Sequence, residues 1–354
     1  MSNAPSNKED DSTSNIEEGT LLLLGSQNSG KTSIGLRLSE RDEQAKPTTA
    51  LEYTYSRLSR GAKLTRDVLH IWELGGGTSL TKLLEVPINP STLFSLSIGI
   101  VIDLSQPEVM WVTLETLLQA LNLRLDQVFK EIGSSNTDLT NMLKRQAMKR
   151  IGDDHRDIDM LNPFPVPLVI IGSKYDIFQD KFDSEKRKVI CKTLRFLAHI
   201  NGAALHFCST KIDGLMQRTR ALLAMSAFPA TLSKQNDSKE KKVLLDHNKP
   251  VIVPFGMDSM EMIGSPLLPA GDISQVTART PLELWKNSYT SFFPQQSSAA
   301  PLRQEDPTSD PQYSEPTIDA VRRQRDEELE RYRRLAEQRA EDAAKKGLQA
   351  HVQA

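Results

Sequence analysis

The stretch GSQNSGKT, residues 25–32, constrains the fold of this chain more than any other part of it. It follows the apolar run TLLLLG, which is typical of a strand buried on both faces, and it opens a segment with helical spacing. In this strand–loop–helix context the phosphate-loop pattern is reproduced by Gly25, Gly30, Lys31 and Thr32. Its glycines allow backbone N–H groups to surround phosphates, and the helix N-terminus favours their negative charge. The sequence therefore predicts a nucleotide-loop α/β fold.

Each position of this loop has an expected role if a nucleotide is bound. Lys31 reaches the β- and γ-phosphates, and Thr32 offers its hydroxyl to Mg²⁺ as the candidate metal ligand. The predicted phosphate-binding set also contains Gly25, Ser29 and Gly30. Whether the cofactor is GDP or GTP with Mg²⁺, or whether there is none, stays open at this level.

Two later motifs point to guanine as the base. The tetrapeptide SKYD, residues 173–176, comes after the buried run PLVIIG, where guanine-nucleotide domains carry Asn-Lys-x-Asp. Asp176 would accept two hydrogen bonds from the guanine edge, and the aliphatic stem of Lys174 would cover the ring. Ser173 replaces the asparagine that ties this loop to the phosphate loop. The segment CSTK, 208–211, comes next in the order expected of the second base-contacting loop.

The residues that hydrolysis needs are not matched. In WELGGG, Glu73 stands where an Asp-x-x-Gly loop has its aspartate, and Gly77 stands where a glutamine orients the attacking water. Thr48 and Thr49 are candidates for the threonine that senses the γ-phosphate, and a plain turn explains them equally well. Loss of such groups costs orders of magnitude in rate. Three alternatives remain: an active GTPase, a static nucleotide-bound domain, and a loop kept as scaffold.

Strand and helix patterns extend the prediction to a whole domain. Six strand-like segments, two of them alternating segments that read as a pair and the others apolar runs, alternate with amphipathic helical segments. Such alternation is typical of a mostly parallel sheet covered by helices on both faces. We therefore predict an α/β fold with a six-stranded sheet, followed by a C-terminal extension that contains helices. The predicted ranges are a disordered N-terminus 1–18, the domain 19–228, a linker 229–248, the extension 249–295, a linker 296–317 and a charged helical tail 318–354.

The extension contains a short helix, 281–293, with an unusually apolar face. Thr280, Pro281 and Glu283 form a capping box with proline at the first helical position. An apolar face of this kind must be buried, either on the domain or on a partner protein. The predicted partner-binding side chains are Leu284, Trp285 and Phe292. The charged tail helix has only a thin apolar stripe, so that solvent exposure and a partner or coiled-coil role both remain open.

Composition excludes several classes of protein. The 44 basic and 46 acidic residues leave a net charge of −2, which does not indicate nucleic acid as a partner. No apolar stretch approaches the roughly 18 to 20 residues of a membrane-spanning helix, and no signal peptide is evident. The two cysteines, Cys191 and Cys208, are expected to be buried thiols in a reducing compartment. We expect an intracellular protein without membrane insertion.

Several longer blocks resemble one family, the dynein light intermediate chains, and within it those of cytoplasmic dynein-2. These blocks are KPTTALEYTY, WELGGGTSL, NPFPVPLVIIGSKYDIFQD, SEKRKVICKTLRF, GSPLLP, TPLELWK and DPQYSE, and the resemblance spans about residues 19–335. It implies a Ras-like P-loop domain that serves as a motor subunit. The implied partners are the cytoplasmic dynein-2 heavy chain, other dynein-2 subunits and intraflagellar transport trains.

The same resemblance implies a cellular role. It is a non-catalytic subunit that stabilises the heavy chain for retrograde intraflagellar transport and cilium assembly, at the cytoplasm, cilium, axoneme, basal body and centrosome. The long cargo-adaptor arm of the dynein-1 relatives is not carried over, because too little chain follows the Ras-like domain here. The alternative function is an active small GTPase that regulates ciliary transport.

Overall fold

The computed structural model describes residues 17–59, 66–133, 137–228, 243–268, 278–296 and 315–352, with side chains up to residue 339 in the last range. The chain divides into two compact units, one up to Ser298 and the other from Ala299 onward. The predicted disordered segment lies almost wholly outside the described residues, as do most of the two predicted linkers.

The first unit contains a sheet, its covering helices and the C-terminal extension. Its strands are Glu18–Gly25 (β1), Leu51–Ser59 (β2), Arg66–Leu74 (β3), Leu96–Asp103 (β4), Leu168–Ser173 (β5), Ala204–Phe207 (β6) and Ile252–Val253 (β7). Its helices are Lys31–Leu38 (α1), Pro107–Gly133 (α2), Thr137–Ile151 (α3), Tyr175–Lys181 (α4), Ser184–Ile200 (α5), Asp213–Ala227 (α6), Met260–Ile263 (α7) and Pro281–Phe292 (α8). Two 3₁₀ turns lie at Thr81–Glu85 and Ile158–Met160.

The strands form one sheet in the order β2-β3-β1-β4-β5-β6-β7. The five strands from β3 to β6 are parallel, whereas β2 pairs antiparallel with β3 and β7 antiparallel with β6. The predicted α/β class and mostly parallel sheet are confirmed. The six strands predicted for the domain are β1 to β6, and the short apolar run in the extension adds β7 at the edge of the sheet.

Strand β1 shows why the sheet needs helices on both faces. Leu21 and Leu23 pack into one core cluster, and Leu22 and Leu24 pack into the other, with all four side chains fully buried. Successive strand residues point to opposite faces, so a run of four leucines requires apolar cover on each side. Helices α1 and α6 cover one face, and α2 and α5 cover the other.

The segment between α2 and β5 is mostly polar. It contains the regular helix α3, which buries Leu143, Ala147 and Ile151. These three residues are spaced four apart, as on one face of a helix. The polar residues that surround them conceal this stripe in the sequence.

The extension packs on the Ras-like domain along its described length. The indole of Trp285 on α8 stacks on the ring of Phe196 on α5, with 4.6 Å between centroids and 10° between planes. The hydroxyl of Tyr289, a fully buried side chain, donates to the carbonyl oxygen of Pro107 at 2.8 Å. The prediction that Trp285 contacts a partner directly is corrected, since the chain's own core covers this side chain.

The second unit is described as a single helix, Pro316–Val352 (α9). Glu330 and Arg334, which are four residues apart, form an ion pair with 3.1 Å between the charged groups. The thin apolar stripe is more than 40% exposed at each position, namely Ile318, Val321, Leu329, Tyr332 and Leu335. Among the described helices of the chain, none is both long and apolar enough to cross a membrane.

The stacked tryptophan should carry much of the stability of the extension. We expect Trp285→Ala to destabilise the protein by about 3 to 5 kcal/mol, because it removes a buried aromatic side chain and leaves a cavity. In a unit of this size that loss lowers the unfolding midpoint by more than about 6 °C. Leu282→Ala on the same helix, at a 42% exposed position, is the matched control and should change little. Equal midpoints for the two variants in thermal unfolding followed by circular dichroism would contradict the assignment.

Candidate functional site

The phosphate loop leaves the end of β1 in a conformation that needs glycine at two positions. Gly25 has φ +146°, and a Cβ there would lie 2.0 Å from the carbonyl oxygen of Val101 on β4. Gly30 has φ +92° and precedes the first turn of α1, a conformation that disfavours other residues. Asn28 is also left-handed, at φ +56°, which asparagine tolerates better than most residues. The loop therefore turns sharply into the helix N-terminus, as an anion cradle requires.

Lys31 lies folded back over this loop. Its Nζ donates to the carbonyl oxygens of Gly25 at 3.1 Å and Ser26 at 2.8 Å, and only 5% of the residue is exposed. Burial lowers the pKa of Lys31, while the nearby charge of Glu73 opposes that shift. The ammonium group thus sits at the loop itself, where it can meet a phosphate.

Glu73, at the end of β3, lies beside Thr32, the predicted magnesium ligand. Its Oε1 accepts hydrogen bonds from the hydroxyls of Thr32 at 2.7 Å and Thr48 at 2.9 Å. Burial raises the pKa of Glu73, and the hydrogen bonds from the two threonines and the charge of Lys31 oppose that rise. The carboxylate therefore contacts the candidate metal ligand Thr32 directly.

The structure distinguishes the two candidate switch threonines. Thr48 bonds Glu73, whereas Thr49 is exposed. The segment is held further by the N–H of Gly75, which donates to the carbonyl oxygen of Ala50 at 2.6 Å. The stretch between α1 and β2 is thus tied to the loop after β3 through side-chain and backbone bonds. Sequence pattern carries no signal for this choice, because the two threonines are adjacent.

The predicted base-contacting loop lies beside the phosphate loop and is tied to it. The hydroxyl of Ser173 donates to the carbonyl oxygen of Ser29 at 2.6 Å and to that of Ile102 at 3.1 Å. Ser173 thus makes the link to the phosphate loop that the asparagine of the Asn-Lys-x-Asp pattern is expected to make. Ser29 is fully buried, so its part in the site is to receive this bond through its backbone.

Asp176 lies at the expected place and is engaged by the second loop. Its Oδ1 accepts from the hydroxyl of Ser209 at 2.7 Å, and its Oδ2 lies 3.0 Å from the Nζ of Lys211. Burial tends to raise the pKa of Asp176, but the hydrogen bonds of Ser209 and Lys211 and the lysine charge together hold it below its ordinary value. The motifs SKYD and CSTK are therefore brought together.

Lys174 makes a contact that motif reasoning did not find. Its Nζ lies 2.5 Å from Oδ2 of Asp103, a residue only 2% exposed at the end of β4. Lys174 itself is left-handed, at φ +56°. The one sequence signal for Asp103 is that an acidic residue closes the otherwise apolar strand SLSIGIVID.

The residues present could hold a nucleotide, and the position that orients water in GTPases is a glycine here. The loop, Lys31 and Thr32 could hold the phosphates and a Mg²⁺ ion, and Asp176 could hold the base. Gly77 has no side chain with which to orient a water molecule. A Cβ atom at this position would lie 3.5 Å from the backbone nitrogen of Gln27. The hydroxyl of Thr32 donates its proton to Glu73, which leaves the lone pairs of its oxygen available to a metal ion.

Known proteins of one family are similar to most of this chain. The family model for dynein light intermediate chain matches residues 6–159. Cytoplasmic dynein 2 light intermediate chain 1 of Bos taurus is 47% identical over 319 residues, which cover 90% of this chain and 88% of the relative. The Homo sapiens protein of that name is 46% identical with the same coverage, and that of Danio rerio is 43% identical over 89% of this chain and 85% of the relative.

A solved structure supports the fold. The crystal structure of the conserved domain of a dynein light intermediate chain superposes with a TM-score of 0.53, and it covers 70% of this chain and 85% of that one. The sequence identity is 18%, so this likeness bears on the fold alone.

The buried carboxyl of Glu73 gives a testable pH dependence. Its folded-state pKa is raised, so its contribution to stability is complete below the unfolded pKa and is lost as the pH rises through the folded pKa. Glu73→Gln keeps the Oε1 acceptor for Thr32 and Thr48 without the charge. We expect this variant to be more stable than the parent at pH 7 by on the order of 1 kcal/mol, and equally stable near pH 4.

Unfolding midpoints of parent and variant, measured from pH 4 to pH 8, test this prediction. Glu52→Gln is the matched control, since the exposed Glu52 carboxylate also accepts from Thr48, at 3.3 Å. A Glu73→Gln protein that is less stable than the parent at pH 7 would show that the carboxylate is required as an anion.

Proposed function

The chain belongs to the dynein light intermediate chain family, and from this membership we propose that it is a non-catalytic accessory subunit of the cytoplasmic dynein-2 complex. Its proposed main partner is the dynein-2 heavy chain, which it binds and stabilises. Other dynein-2 subunits and intraflagellar transport trains are further proposed partners. The proposed process is retrograde transport along ciliary microtubules and the assembly of cilia.

The observation that carries this proposal is the extent of the similarity. Identity of 46 to 47% with dynein-2 light intermediate chains of mammals extends over 90% of the chain. The aligned length of 319 residues is longer than the Ras-like domain, so it also reaches into the C-terminal extension. A similarity limited to the phosphate loop would support only a nucleotide-binding fold.

The candidate site supports a structural role for the phosphate loop. The missing side chain at Gly77 argues against turnover. We propose that a nucleotide held there, GDP or GTP with Mg²⁺, is a static component of the subunit. The second candidate, a small GTPase that regulates ciliary transport, is favoured by the complete phosphate loop and by Lys31 at 2.8 Å from the loop carbonyl of Ser26.

A surface for the heavy chain is proposed on helix α8. Leu284 and Phe292 are partly exposed, in contrast to Trp285 on the same helix. The buried tryptophan and Tyr289 hold the helix on the domain, so its outer residues form a fixed surface. The proposed sites of action are the cytoplasm, the cilium and axoneme, the basal body and the centrosome.

Substitution of the loop lysine separates the two candidate functions. We expect Lys31→Ala to leave heavy-chain recovery within about twofold of the parent, because the proposed docking surface lies elsewhere. Recovery is measured by affinity purification of tagged heavy chain from ciliated cells, with Lys82→Ala, an exposed lysine, as control. A GTPase switch predicts instead that retrograde transport stops in Lys31→Ala cells while the Lys82→Ala cells transport normally.

Helix α8 can be tested in the same purification. We expect Leu284→Arg to reduce heavy-chain recovery about tenfold or more, because it introduces a charge into an apolar contact. The unfolding midpoint should change little, since the side chain is not part of the buried core. Asn287→Arg, at an exposed position one turn away, is the matched control. Unchanged recovery with Leu284→Arg would remove α8 from the proposed interface.

A further inference from the structure

A cluster of three metal-ligating side chains lies away from the nucleotide site. His155 and Asp157 belong to the turn that comes after α3, and His199 lies in the last turn of α5. One ligand atom from each residue can be chosen so that all three atoms lie within 4.8 Å of one another. His199 is buried, and the other two are partly buried. The segment of the extension from Asp258 to Met260 borders the cluster.

The hydrogen bonds of His155 determine which of its nitrogens is free of a proton. Its Nε2 lies 2.9 Å from the carbonyl oxygen of Asp258, which can only accept, so Nε2 carries the proton. Its Nδ1 accepts from the N–H of Asp157 at 3.1 Å and is therefore unprotonated. A histidine that donates one ring N–H to a backbone carbonyl presents its other nitrogen in the form that binds metal ions.

The carboxylate of Asp157 is held by hydrogen bonds from two neighbours. Its Oδ2 accepts from the N–H of Met260 at 2.7 Å and from Nε2 of His199 at 2.8 Å. The N–H of Met260 and the ring of His199 thus fix the orientation of this carboxylate.

A buried ion pair next to the cluster supports the arrangement of its side chains. Arg195, one turn before His199, makes two hydrogen bonds to the carboxylate of Asp258, at 2.6 and 2.8 Å. This buried pair neutralises the arginine charge that would otherwise repel a cation. It also fixes the backbone of Asp258, whose carbonyl oxygen orients His155.

We propose that His155, Asp157 and His199 bind one Zn²⁺ ion, with water as the fourth ligand. Two imidazole nitrogens and one carboxylate oxygen form a ligand set of the kind that zinc takes in tetrahedral sites. The ion would replace two hydrogen bonds, that from the N–H of Asp157 to Nδ1 of His155 and that between His199 and Asp157. The proton on Nε2 of His199 would move to Nδ1 of the same ring. Through Asp258 and Met260 the site would fasten the extension to α5. This proposal is independent of the proposed dynein-2 function.

Metal uptake by the full-length chain tests the site. The purified protein is stripped with EDTA, equilibrated with Zn²⁺, passed through a desalting column and assayed for zinc. We expect about one equivalent in the parent and, in His155→Ala, a loss of affinity of at least tenfold. His247→Ala is the matched control, because His247 is also partly exposed beside a carboxylate, Asp246 at 3.9 Å. It should retain the full equivalent.

Cobalt provides a second readout, and its main measurement is made on the parent protein. Co²⁺ added to the stripped parent should produce the visible absorption of a tetrahedral nitrogen and oxygen site, and Zn²⁺ should displace it. The same bands should be absent from His155→Ala. We expect this variant to fold, because His155 is partly exposed. If parent and His155→Ala take up equal zinc, or if neither takes up any, the cluster is a hydrogen-bonded contact and the proposal fails.

Discussion

Burial of the central strands on both faces is the constraint on which the rest of this structure depends. A run of leucines such as Leu21–Leu24 cannot face water on either side, so helices must cover the sheet twice. Parallel neighbours then require crossover connections, and all their carboxyl ends meet at one edge of the sheet. The phosphate loop, Glu73, Asp103 and Ser173 all lie at that edge because their strands end there.

The candidate site is held together by bonds among its own residues. Lys31 bonds loop carbonyls, Glu73 bonds two threonines, and Asp176 pairs with Lys211. Buried polar groups of this kind are costly unless they are paired, and each of these groups has found a partner within the chain. These bonds link the loops around the phosphate loop to one another within the chain.

The C-terminal extension is also held in place by contacts within the chain. Trp285 and Tyr289 bury one side of α8, β7 completes the edge of the sheet, and Arg195 pairs with Asp258. Breaking a buried ion pair by removing one partner is strongly destabilising, so the extension is an integral part of the first unit. Apolar side chains remain exposed on both helices, at Leu282 of α8 and along the stripe of α9.

The sequence by itself determined the α/β class, the phosphate loop, the order of the guanine motifs and the helix from residue 281. These are local patterns of spacing, capping and apolar period, which a chain carries wherever its segments come to lie. Only the tertiary structure decided that Thr48 reaches Glu73, that Lys174 pairs with Asp103 and that Trp285 turns inward. It also added β7 and brought His155 to His199. Each of these contacts joins segments that are between about 20 and 100 residues apart, and such pairings depend on how helices and strands pack, which no local pattern encodes.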